Sequence, residues 1–191
     1  MKIGVLALQG AFQEHQKALS SLGAETFQIR QHRDLNIELD GLVLPGGEST
    51  TICKLLLELN MMDNLRNKIQ NGLPVFGTCA GLILLSKKIQ NQSTTGLATM
   101  NIECCRNAYG KQLDSFKTSS QFADIGEVPM VFIRAPYITQ TSVDVEILAK
   151  VNGKIVAAKQ KNQLVTAFHP ELTNDIKIHS YFLKNIVNMA K

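Results

Sequence analysis

The chain has 191 residues, of which 45% are hydrophobic, so it is long enough to bury a large core. No linker rich in proline, glycine or serine divides it, and we expect a single domain over residues 1–191. The net charge of +4 is spread along the sequence, which argues against nucleic-acid binding. The apolar run at 3–8 is too short for a secretory signal, and no run reaches transmembrane length, so we expect a soluble, cytoplasmic protein without a membrane partner.

In the first half of the chain, short apolar runs alternate with segments of helical spacing. They predict strands at residues 2–8, 26–29, 39–44 and 73–76 and helices at 11–22, 48–59, 63–70 and 82–89. Ser49 and Thr50 are candidate caps of the second helix. This alternation predicts a parallel sheet covered by helices on both faces.

Three segments that could form a site follow directly after predicted strands. Gln9 follows the first strand, residues 46–47 follow the third, and Cys79 follows the fourth. Because the carboxyl ends of parallel strands share one edge of a sheet, we expect these segments to meet there.

Cys79 lies between Gly77 and Gly81, at the junction of a predicted strand and a predicted helix. The chain must turn there within a few residues, and glycines leave room for so tight a turn. The pattern is typical of a nucleophile elbow, in which the start of a helix favours a reactive thiolate. An ordinary glycine-bounded turn with an inert cysteine fits this stretch equally well.

The other cysteines, Cys53, Cys104 and Cys105, are expected to serve ordinary packing. The four cysteines suggest no disulfide framework, and a reducing compartment would keep them as thiols. The sequence has no CxxC pair, and the adjacent Cys104 and Cys105 would point to opposite faces of a strand. We therefore expect no zinc or other metal site, and no cofactor.

From about residue 100 the segments become shorter and richer in strand-forming residues. They predict strands at 100–105, 115–118, 130–134, 145–151, 154–159 and 164–168, and a closing amphipathic helix at 176–189. Asn152-Gly153 is typical of a tight hairpin turn. We expect the strands before the last one to be antiparallel additions to the sheet.

His169 and Glu171 stand two positions apart at the end of the last predicted strand, so both side chains can point to one face. A histidine beside a thiol can take its proton, and an acid behind the ring fixes the tautomer, as in a Cys-His-Glu triad. The alternative is a surface or packing histidine. The remaining histidines lack such an acid and are expected to be structural or solvated: His15, His32 and His179.

The Pro-Gly-Gly run at 45–47 has two interpretations. It can simply end a strand. Alternatively, its glycine amides and the amide of Ala80 can donate to an oxyanion that forms beside Cys79. In that case Glu48 would face the substrate and accept a hydrogen bond from an ammonium group.

Several longer motifs accompany these residues: Leu8-Gln9-Gly10-Ala11, Pro45-Gly46-Gly47-Glu48-Ser49-Thr50-Thr51, Gly77-Thr78-Cys79-Ala80-Gly81, Arg106-Asn107-x-Tyr109-Gly110, Gln112-x-Asp114-Ser115-Phe116, Phe132-Ile133-Arg134-Ala135-Pro136 and Phe168-His169-Pro170-Glu171-Leu172. The elbow, the Pro-Gly-Gly-Glu run and His-x-Glu resemble class I triad glutamine amidotransferases. The full set, which spans nearly the whole chain, resembles the glutaminase subunit of pyridoxal 5'-phosphate synthase.

This resemblance implies a three-layer α/β/α fold with a mixed, mainly parallel sheet and a flavodoxin-like core. It implies hydrolysis of L-glutamine to L-glutamate and ammonia through a cysteinyl thioester. The ammonia would be channelled to a partner, a TIM-barrel pyridoxal 5'-phosphate synthase subunit, for vitamin B6 biosynthesis. Gln9 matches a residue that helps to set the oxyanion hole when that partner docks.

The same resemblance implies roles for individual site residues. Cys79 is the nucleophile, His169 the base and acid, and Glu171 its orienter. The amides of Gly47 and Ala80 form the oxyanion hole. The residues that match L-glutamine-binding positions are Gly46, Gly47, Glu48, Arg106, Ile133 and Arg134.

The sequence departs from the family pattern in three places. Lys111 stands where arginine is expected, Cys105 stands where an acidic or polar residue is expected before Arg106, and the connection at 90–93 is short. One alternative function is a glutaminase for another synthase, such as the imidazole glycerol phosphate system, although the motifs around Arg106 and Ile133 argue against it. An alternative of another class is a non-catalytic redox or chaperone module with a similar elbow cysteine.

Overall fold

The structure is a computed structural model that describes residues 1–92, 96–106 and 115–190. Part of the motif set falls on the other residues. The positions named above that lie outside the described residues are Ser93, Asn107, Tyr109, Gly110, Lys111, Gln112 and Asp114.

The first half of the chain follows the predicted alternation of strands and helices. Its elements are β1 (Lys2–Leu6), α1 (Phe12–Ser21), β2 (Glu25–Ile29), a 3-10 turn (His32–Asn36), β3 (Gly41–Leu44), α2 (Ser49–Glu58), α3 (Met62–Gln70), β4 (Val75–Thr78), α4 (Ala80–Leu85) and β5 (Ser86–Ile89). Strand β4 begins later than predicted, because the Leu73 N–H still bonds to Lys68 O at the end of α3. The cap of α2 is Glu48, not Ser49 or Thr50, since the Glu48 carboxylate accepts a hydrogen bond from the Thr50 N–H.

The helix predicted at 82–89 is wrong in its second half, where β5 replaces it. The chain turns extended at Ser86, whose hydroxyl donates to Leu82 O at 2.8 Å and so satisfies a carbonyl at the end of α4. Leu82, Leu85 and Ile89 are buried in the observed arrangement. Because a continuous helix would also bury these three side chains, their spacing did not distinguish the two structures.

The second half is richer in strands, as predicted. Its elements are β6 (Met100–Cys105), β7 (Ser115–Gln121), β8 (Glu127–Ile133), β9 (Tyr137–Thr141), β10 (Glu146–Val151), β11 (Lys154–Gln160), β12 (Gln163–Thr166), a 3-10 turn (Pro170–Leu172), α5 (Lys177–Tyr181), a π-helical segment (Phe182–Val187) and a last 3-10 turn (Asn188–Ala190). Strand β9 was not predicted, because Ile138 is its one buried residue. No helix in the described part of the chain is long and apolar enough to cross a membrane.

Ten of the described strands form one mixed sheet in the order β2-β1-β3-β4-β12-β11-β9-β6-β5, with β10 paired to β11. The five strands from β2 to β12 in this order are parallel, and β11 and β9 extend the sheet with antiparallel pairs. This confirms the predicted mixed, mainly parallel sheet. The expectation of antiparallel additions is only partly right, since β5 pairs with β6 in parallel and β7 pairs with β8 in a separate two-stranded sheet.

The strand order reverses at β1, because β2 and β3 lie on its two sides. Helix α1 contacts α5, whereas α2 contacts α3 and α4, so the helices flank the sheet in two groups. One hydrophobic cluster joins buried side chains from Ile3 to Val187. In a sheet of this kind a ligand site is expected at the carboxyl ends of the strands, beside the point of reversal.

The predicted hairpin between β10 and β11 is present. Asn152 and Gly153 have φ angles of 50° and 76°. Both angles lie in the left-handed region that a tight two-residue hairpin turn requires.

Candidate active site

Four loops that follow parallel strands meet at one edge of the sheet. Gln9 follows β1, residues 46–47 follow β3, Cys79 follows β4 and His169 follows β12. Gln9 Oε1 accepts a hydrogen bond from the Glu48 N–H at 2.8 Å, which ties the first loop to the second. The predicted meeting of the first three loops is confirmed, and the loop after β12 joins them.

Cys79 occupies a strained turn between β4 and α4. Its φ and ψ are 48° and −94°, in a region that costs a residue other than glycine about 1–3 kcal/mol. Its N–H donates to Thr166 O on β12 at 2.8 Å. A Cβ at Gly77 would lie 2.7 Å from the Gly81 carbonyl carbon, and a Cβ at Gly81 would lie 2.2 Å from Leu44 O. The turn therefore requires both glycines, which favours the elbow interpretation over an ordinary turn.

His169 and Glu171 form a buried, hydrogen-bonded pair, with 2.7 Å between His169 Nδ1 and Glu171 Oε1. The sequence predicted that the pair continues the last strand, and this is wrong. Strand β12 ends at Thr166, and Pro170 begins a 3-10 turn. The backbone N–H of His169 donates to Val131 O on β8 at 2.8 Å. The turn is thus held between two sheets, and the two side chains meet through its tight geometry.

The electrostatics of this pair favour charge separation. Burial lowers the pKa of His169, but hydrogen bonds to Cys79 and Glu171, and the charges of both, outweigh it and raise the pKa to about 10. Burial raises the pKa of Glu171, but the interaction with His15 and the hydrogen bond from His169 bring the pKa below its ordinary value. Since Nδ1 faces Glu171, Nε2 is the ring nitrogen that can face Cys79. With a pKa of about 10 the ring is an imidazolium at neutral pH, and it lies between Cys79 and the Glu171 carboxylate.

The glycines at 46–47 make room for the groups around them. A Cβ at Gly46 would lie 2.3 Å from His169 Cε1. Gly47 has a φ of 152°, and a Cβ there would lie 2.9 Å from Gln9 Oε1. The carbonyl of Gly46 leaves no space for a Cβ at Gly10, which would approach it to 1.7 Å. The loops after β1 and β3 are therefore packed backbone against backbone.

A cavity of about 300 Å³ opens beside the thiol. Its lining residues are Gly47, Glu48, Ser49, Cys79, Ile83, Arg106, Ile133, Arg134 and His169. Gly46, which was also predicted to bind substrate, lies against the His169 ring instead. Ala80 is fully buried as the first residue of α4, so it can offer only its backbone to a ligand. The volume suits a ligand of about the size of an amino acid.

Two opposite charges in the cavity lining are paired with each other. Arg106 Nη2 lies 3.2 Å from Glu48 Oε1, and Arg106 Nη1 donates to Gln92 Oε1 at 3.2 Å. Hydrogen bonds from Thr50 and, to a smaller extent, the guanidinium of Arg106 hold the pKa of Glu48 below its ordinary value. The two residues that were predicted to hold a zwitterionic substrate therefore hold each other in this structure.

The end of β8 supplies another wall of the cavity. Cys79 Sγ lies 3.9 Å from Ile133 O. Arg134 follows with a φ of 44°, and the side chains of both residues are exposed. A guanidinium therefore stands at the open side of the cavity.

Two of the histidines that were expected to be structural or solvated, His15 and His179, lie behind Glu171. The expectation of a structural or solvated histidine fits His32, which is exposed. His15 and His179 fit the structural alternative, since both are fully buried and contact each other, and His15 also lies close to Glu171. One signal was available, since His15 precedes Leu19 by one helical turn and so shares its apolar face.

The remaining cysteines behave as expected for packing residues. Cys53 and Cys104 are buried, and Cys105 is half-buried. Burial raises the pKa of the Cys104 thiol to about 11. The Cys105 thiol lies 3.6 Å from the carbonyl of Arg106.

Comparisons with known proteins agree over nearly the full chain. The family model described as SNO glutamine amidotransferase matches residues 5–188. The pyridoxal 5'-phosphate synthase subunit PdxT of Carboxydothermus hydrogenoformans is 53% identical over 188 residues, which cover 97% of this chain and 98% of that protein. The protein of the same name from Streptococcus pneumoniae is 54% identical over 194 residues, which cover 100% and 98%.

A solved structure described as a crystal structure of glutamine amidotransferase is similar in fold, with a TM-score of 0.92. It is 41% identical in sequence and covers 97% of this chain and 98% of its own. The predicted architecture of a class I glutamine amidotransferase is confirmed by this similarity.

Proposed function

Because the chain belongs to the SNO glutamine amidotransferase family, we propose that it hydrolyses L-glutamine to L-glutamate and ammonia through a cysteinyl thioester. Relatives at 53% and 54% identity are named subunits of pyridoxal 5'-phosphate synthase, and we assign this chain the same role in vitamin B6 biosynthesis. The buried His169-Glu171 pair beside the strained Cys79 carries the proposal. Residues 1–191 act as one glutaminase domain, and the four free thiols fit a reducing cytoplasm.

In the proposed mechanism the Cys79 thiolate attacks the side-chain amide carbon of glutamine. The carbonyl oxygen becomes an oxyanion, which accepts hydrogen bonds from the N–H groups of Gly47 and Ala80. The imidazolium of His169 gives its proton to the departing nitrogen, the C–N bond breaks, and ammonia leaves a glutamyl thioester. The raised pKa of His169 supports this step, since the ring already carries the proton at neutral pH.

Hydrolysis of the thioester reverses these roles. The neutral ring of His169 takes a proton from water as the water oxygen attacks the thioester carbon, and the C–S bond then breaks. Glutamate leaves, and the thiolate and imidazolium are restored. Glu171 holds the ring in one orientation and stabilises its positive charge throughout, which their 2.7 Å hydrogen bond supports.

The charged groups of the cavity suit both ends of an amino acid. Glu48 accepts from the α-ammonium group, and Arg106 and Arg134 contact the α-carboxylate. The lowered pKa of Glu48 supports this assignment, because the side chain is ionised at neutral pH. The present Glu48-Arg106 ion pair opens as the substrate enters, and each partner exchanges one opposite charge for another. Gly46 and Ile133 complete the site around the substrate.

The proposed partner is a TIM-barrel synthase subunit that receives the ammonia. Gln9 holds the Glu48 N–H and lies close to Gly47, so it connects the loop after β1 with a proposed oxyanion donor. A partner that docks against Gln9 can therefore reset the Gly47 amide. We expect weak glutaminase activity from the isolated chain and strong activity in the complex.

The test is glutamate release from L-glutamine by the purified chain, alone and with its cognate synthase subunit. Cys79→Ala serves as the control, because it removes the nucleophile and deletes only one sulfur atom from a side chain at the cavity wall. We expect strong stimulation by the synthase and no glutamate from the variant. Wild-type turnover by Cys79→Ala would overturn the mechanism.

Two further results would redirect the assignment. Full activity of the isolated chain would contradict the partner dependence, and stimulation by a different synthase would replace the partner. Absence of turnover under all conditions would overturn the glutaminase proposal and favour the redox or chaperone alternative.

A further inference from the structure

Behind the His169-Glu171 pair, two more histidines extend the line of polar groups into the core. His15 lies on α1 and His179 on α5, and neither is exposed to solvent. His15 Nδ1 lies 2.9 Å from His179 Nε2. On its other side, His15 Nε2 lies 3.4 Å from Glu171 Oε2 and 3.2 Å from the hydroxyl of Thr78. The line therefore runs from α5 through α1 to the carboxylate.

The surroundings of this line keep both rings uncharged. Burial lowers the pKa of His15 despite the nearby carboxylate of Glu171, and burial together with His15 lowers the pKa of His179 to about 3. Phe76 packs against both rings in edge-on contacts. Each ring therefore carries a single N–H at neutral pH, and the position of that hydrogen can be worked out from the neighbours.

The position of the Glu171 carboxylate determines which ring nitrogen of His15 is protonated. Within the described residues, Glu171 Oε2 has no hydrogen-bond partner, although its side chain is fully buried. A lone pair on His15 Nε2 would repel this oxygen, whereas an N–H there attracts it and also faces Thr78 Oγ1. With Nε2 protonated, His15 Nδ1 is an acceptor, so His179 donates from its own Nε2. All the hydrogens of the line then point toward Glu171.

We propose that His15, fixed as its Nε2–H tautomer by His179, is a positioning residue that orients the Glu171 carboxylate in the proposed glutaminase. Glu171 would be held between two imidazoles, with Oε1 bonded to His169 and Oε2 facing His15. An isolated carboxylate could rotate about its last bond, but one contacted at both oxygens cannot do so without loss of both contacts. The inference rests on the proposed function, because the orientation of Glu171 matters only if His169 moves protons.

The same N–H connects the carboxylate with the predicted oxyanion region. Thr78 Oγ1 accepts from the Gly46 N–H at 2.9 Å and lies 3.2 Å from His15 Nε2. His15 therefore contacts Glu171, which holds His169, and also contacts the Thr78 hydroxyl, which accepts a hydrogen bond from the backbone of Gly46. One buried side chain can thus fix the position of the Glu171 carboxylate relative to the loop that contains Gly46 and Gly47.

The first experiment compares two substitutions at one position. His15→Leu removes the N–H at similar volume, whereas the amide nitrogen of His15→Gln can occupy the place of Nε2. We expect His15→Leu to lose about 10- to 100-fold in kcat with KM unchanged, because a reoriented Glu171 would displace the His169 ring. His15→Gln should recover most of this loss. Leu19→Ala, which also removes a buried side chain from α1, should lower stability without a change in kcat.

Equal kcat values for wild type and His15→Leu would overturn the proposal. Equal losses in both His15 variants would also overturn it, because they would indicate a packing role. Turnover by the wild type in the presence of synthase is measured in the same series, so failure of the proposed function is seen separately.

A second measurement needs no substitution and no turnover. Long-range ¹H–¹⁵N correlation spectra of the wild-type chain distinguish the tautomers of each histidine. We expect His15 and His179 to be neutral and protonated at Nε2, at a pH where His169 is doubly protonated. An Nδ1–H tautomer of His15 would overturn the proposal even if no variant folds.

Discussion

At Gly46 the backbone passes so close to His169 that no side chain fits between them. The position is not in the left-handed region, and the restriction comes from the ring itself. His169 Nδ1 also forms a hydrogen bond of 2.7 Å with Glu171 Oε1, which restricts movement of the ring from a second side. The orientation of the histidine is therefore fixed from two sides, by a carboxylate and by a bare backbone.

Gly46→Ala should consequently impair catalysis more than stability. The added methyl group would approach His169 Cε1 to 2.3 Å, and a displacement of the ring of about 1 Å should reduce kcat by about a hundredfold. Glutamate release in the presence of synthase measures the effect. Gly72→Ala is the control, because its Cβ would meet nothing within 4 Å, and its φ of 105° predicts a loss of stability only. Normal turnover by Gly46→Ala would show that the ring is not held as described.

At this scale the sequence predicted the residues whose neighbours in the chain are distinctive. Cys79 stands between glycines and His169 stands two positions before an acid, and both patterns have a physical reason that can be read locally. The helical spacing of His15 indicated its burial, but the partners of the two histidines could not be predicted, because His15 contacts Glu171 and His179 from distant parts of the chain. The ion pair of Glu48 and Arg106 was missed for the same reason.

Among the elements, α4 approaches the end of β3 closely at Gly81. The carbonyl of Leu44 at the end of β3 occupies the space where Gly81 would carry a side chain. This contact brings the start of α4 against the central strands, directly after the strained turn at Cys79. A glycine is needed here for space, whereas at Gly153 in the β10–β11 hairpin it is needed for its φ of 76°.

These two glycines allow a matched prediction. Gly81→Ala should lower the free energy of unfolding by about 3 kcal/mol, the upper range for overpacking, since the methyl group meets backbone. Gly153→Ala should cost about 1–2 kcal/mol, the price of a left-handed conformation for alanine. Urea unfolding measures both, and only Gly81→Ala should also reduce glutaminase activity in the folded fraction. A larger loss of stability for Gly153→Ala would contradict this assignment.

Element types were predictable where hydrophobic spacing and breaking residues agree, as for β1, α1, β3 and α2. The prediction failed where an element depends on a distant partner. Strand β5 forms because it can pair with β6. Strand β9 contributes only Ile138 to the core, because neighbouring strands supply the other buried side chains there. Neither partner can be recognised from the residues of the strand itself.

For the molecule as a whole, the two uncharged buried histidines, His15 and His179, contribute to the response to acid. His179 has a pKa of about 3 and His15 also has a lowered pKa, whereas both have ordinary values of about 6.5 in an unfolded chain. Between pH 3 and 6.5 the unfolded chain binds a proton at His179 that the folded chain does not, and the lowered pKa of His15 acts in the same direction below pH 6.5. The free energy of unfolding therefore falls as the pH falls, by up to about 1.4 kcal/mol per pH unit for each group.

In His179→Phe the free energy of unfolding should fall less steeply with falling pH, because the contribution of His179 is absent. This change in slope is expected whatever the effect of the substitution on stability at neutral pH. Denaturant unfolding at several pH values between 4 and 7 gives the two slopes. His32→Asn is the control, since His32 is exposed and should leave the decline unchanged. Identical slopes for wild type and His179→Phe would mean that the buried ring does not resist protonation.

The pairing of β12 with β4 has a consequence for the time before the chain is complete. The proposed nucleophile Cys79 leaves the ribosome long before the proposed base and acid, His169 and Glu171, which follow β12. A nascent chain that ends before β12 exposes the unpaired side of β4 and carries a cysteine with no base beside it. If the proposed roles are right, a partial chain of this kind cannot yet hydrolyse glutamine, and turnover begins only after β12 has taken its place between β4 and β11.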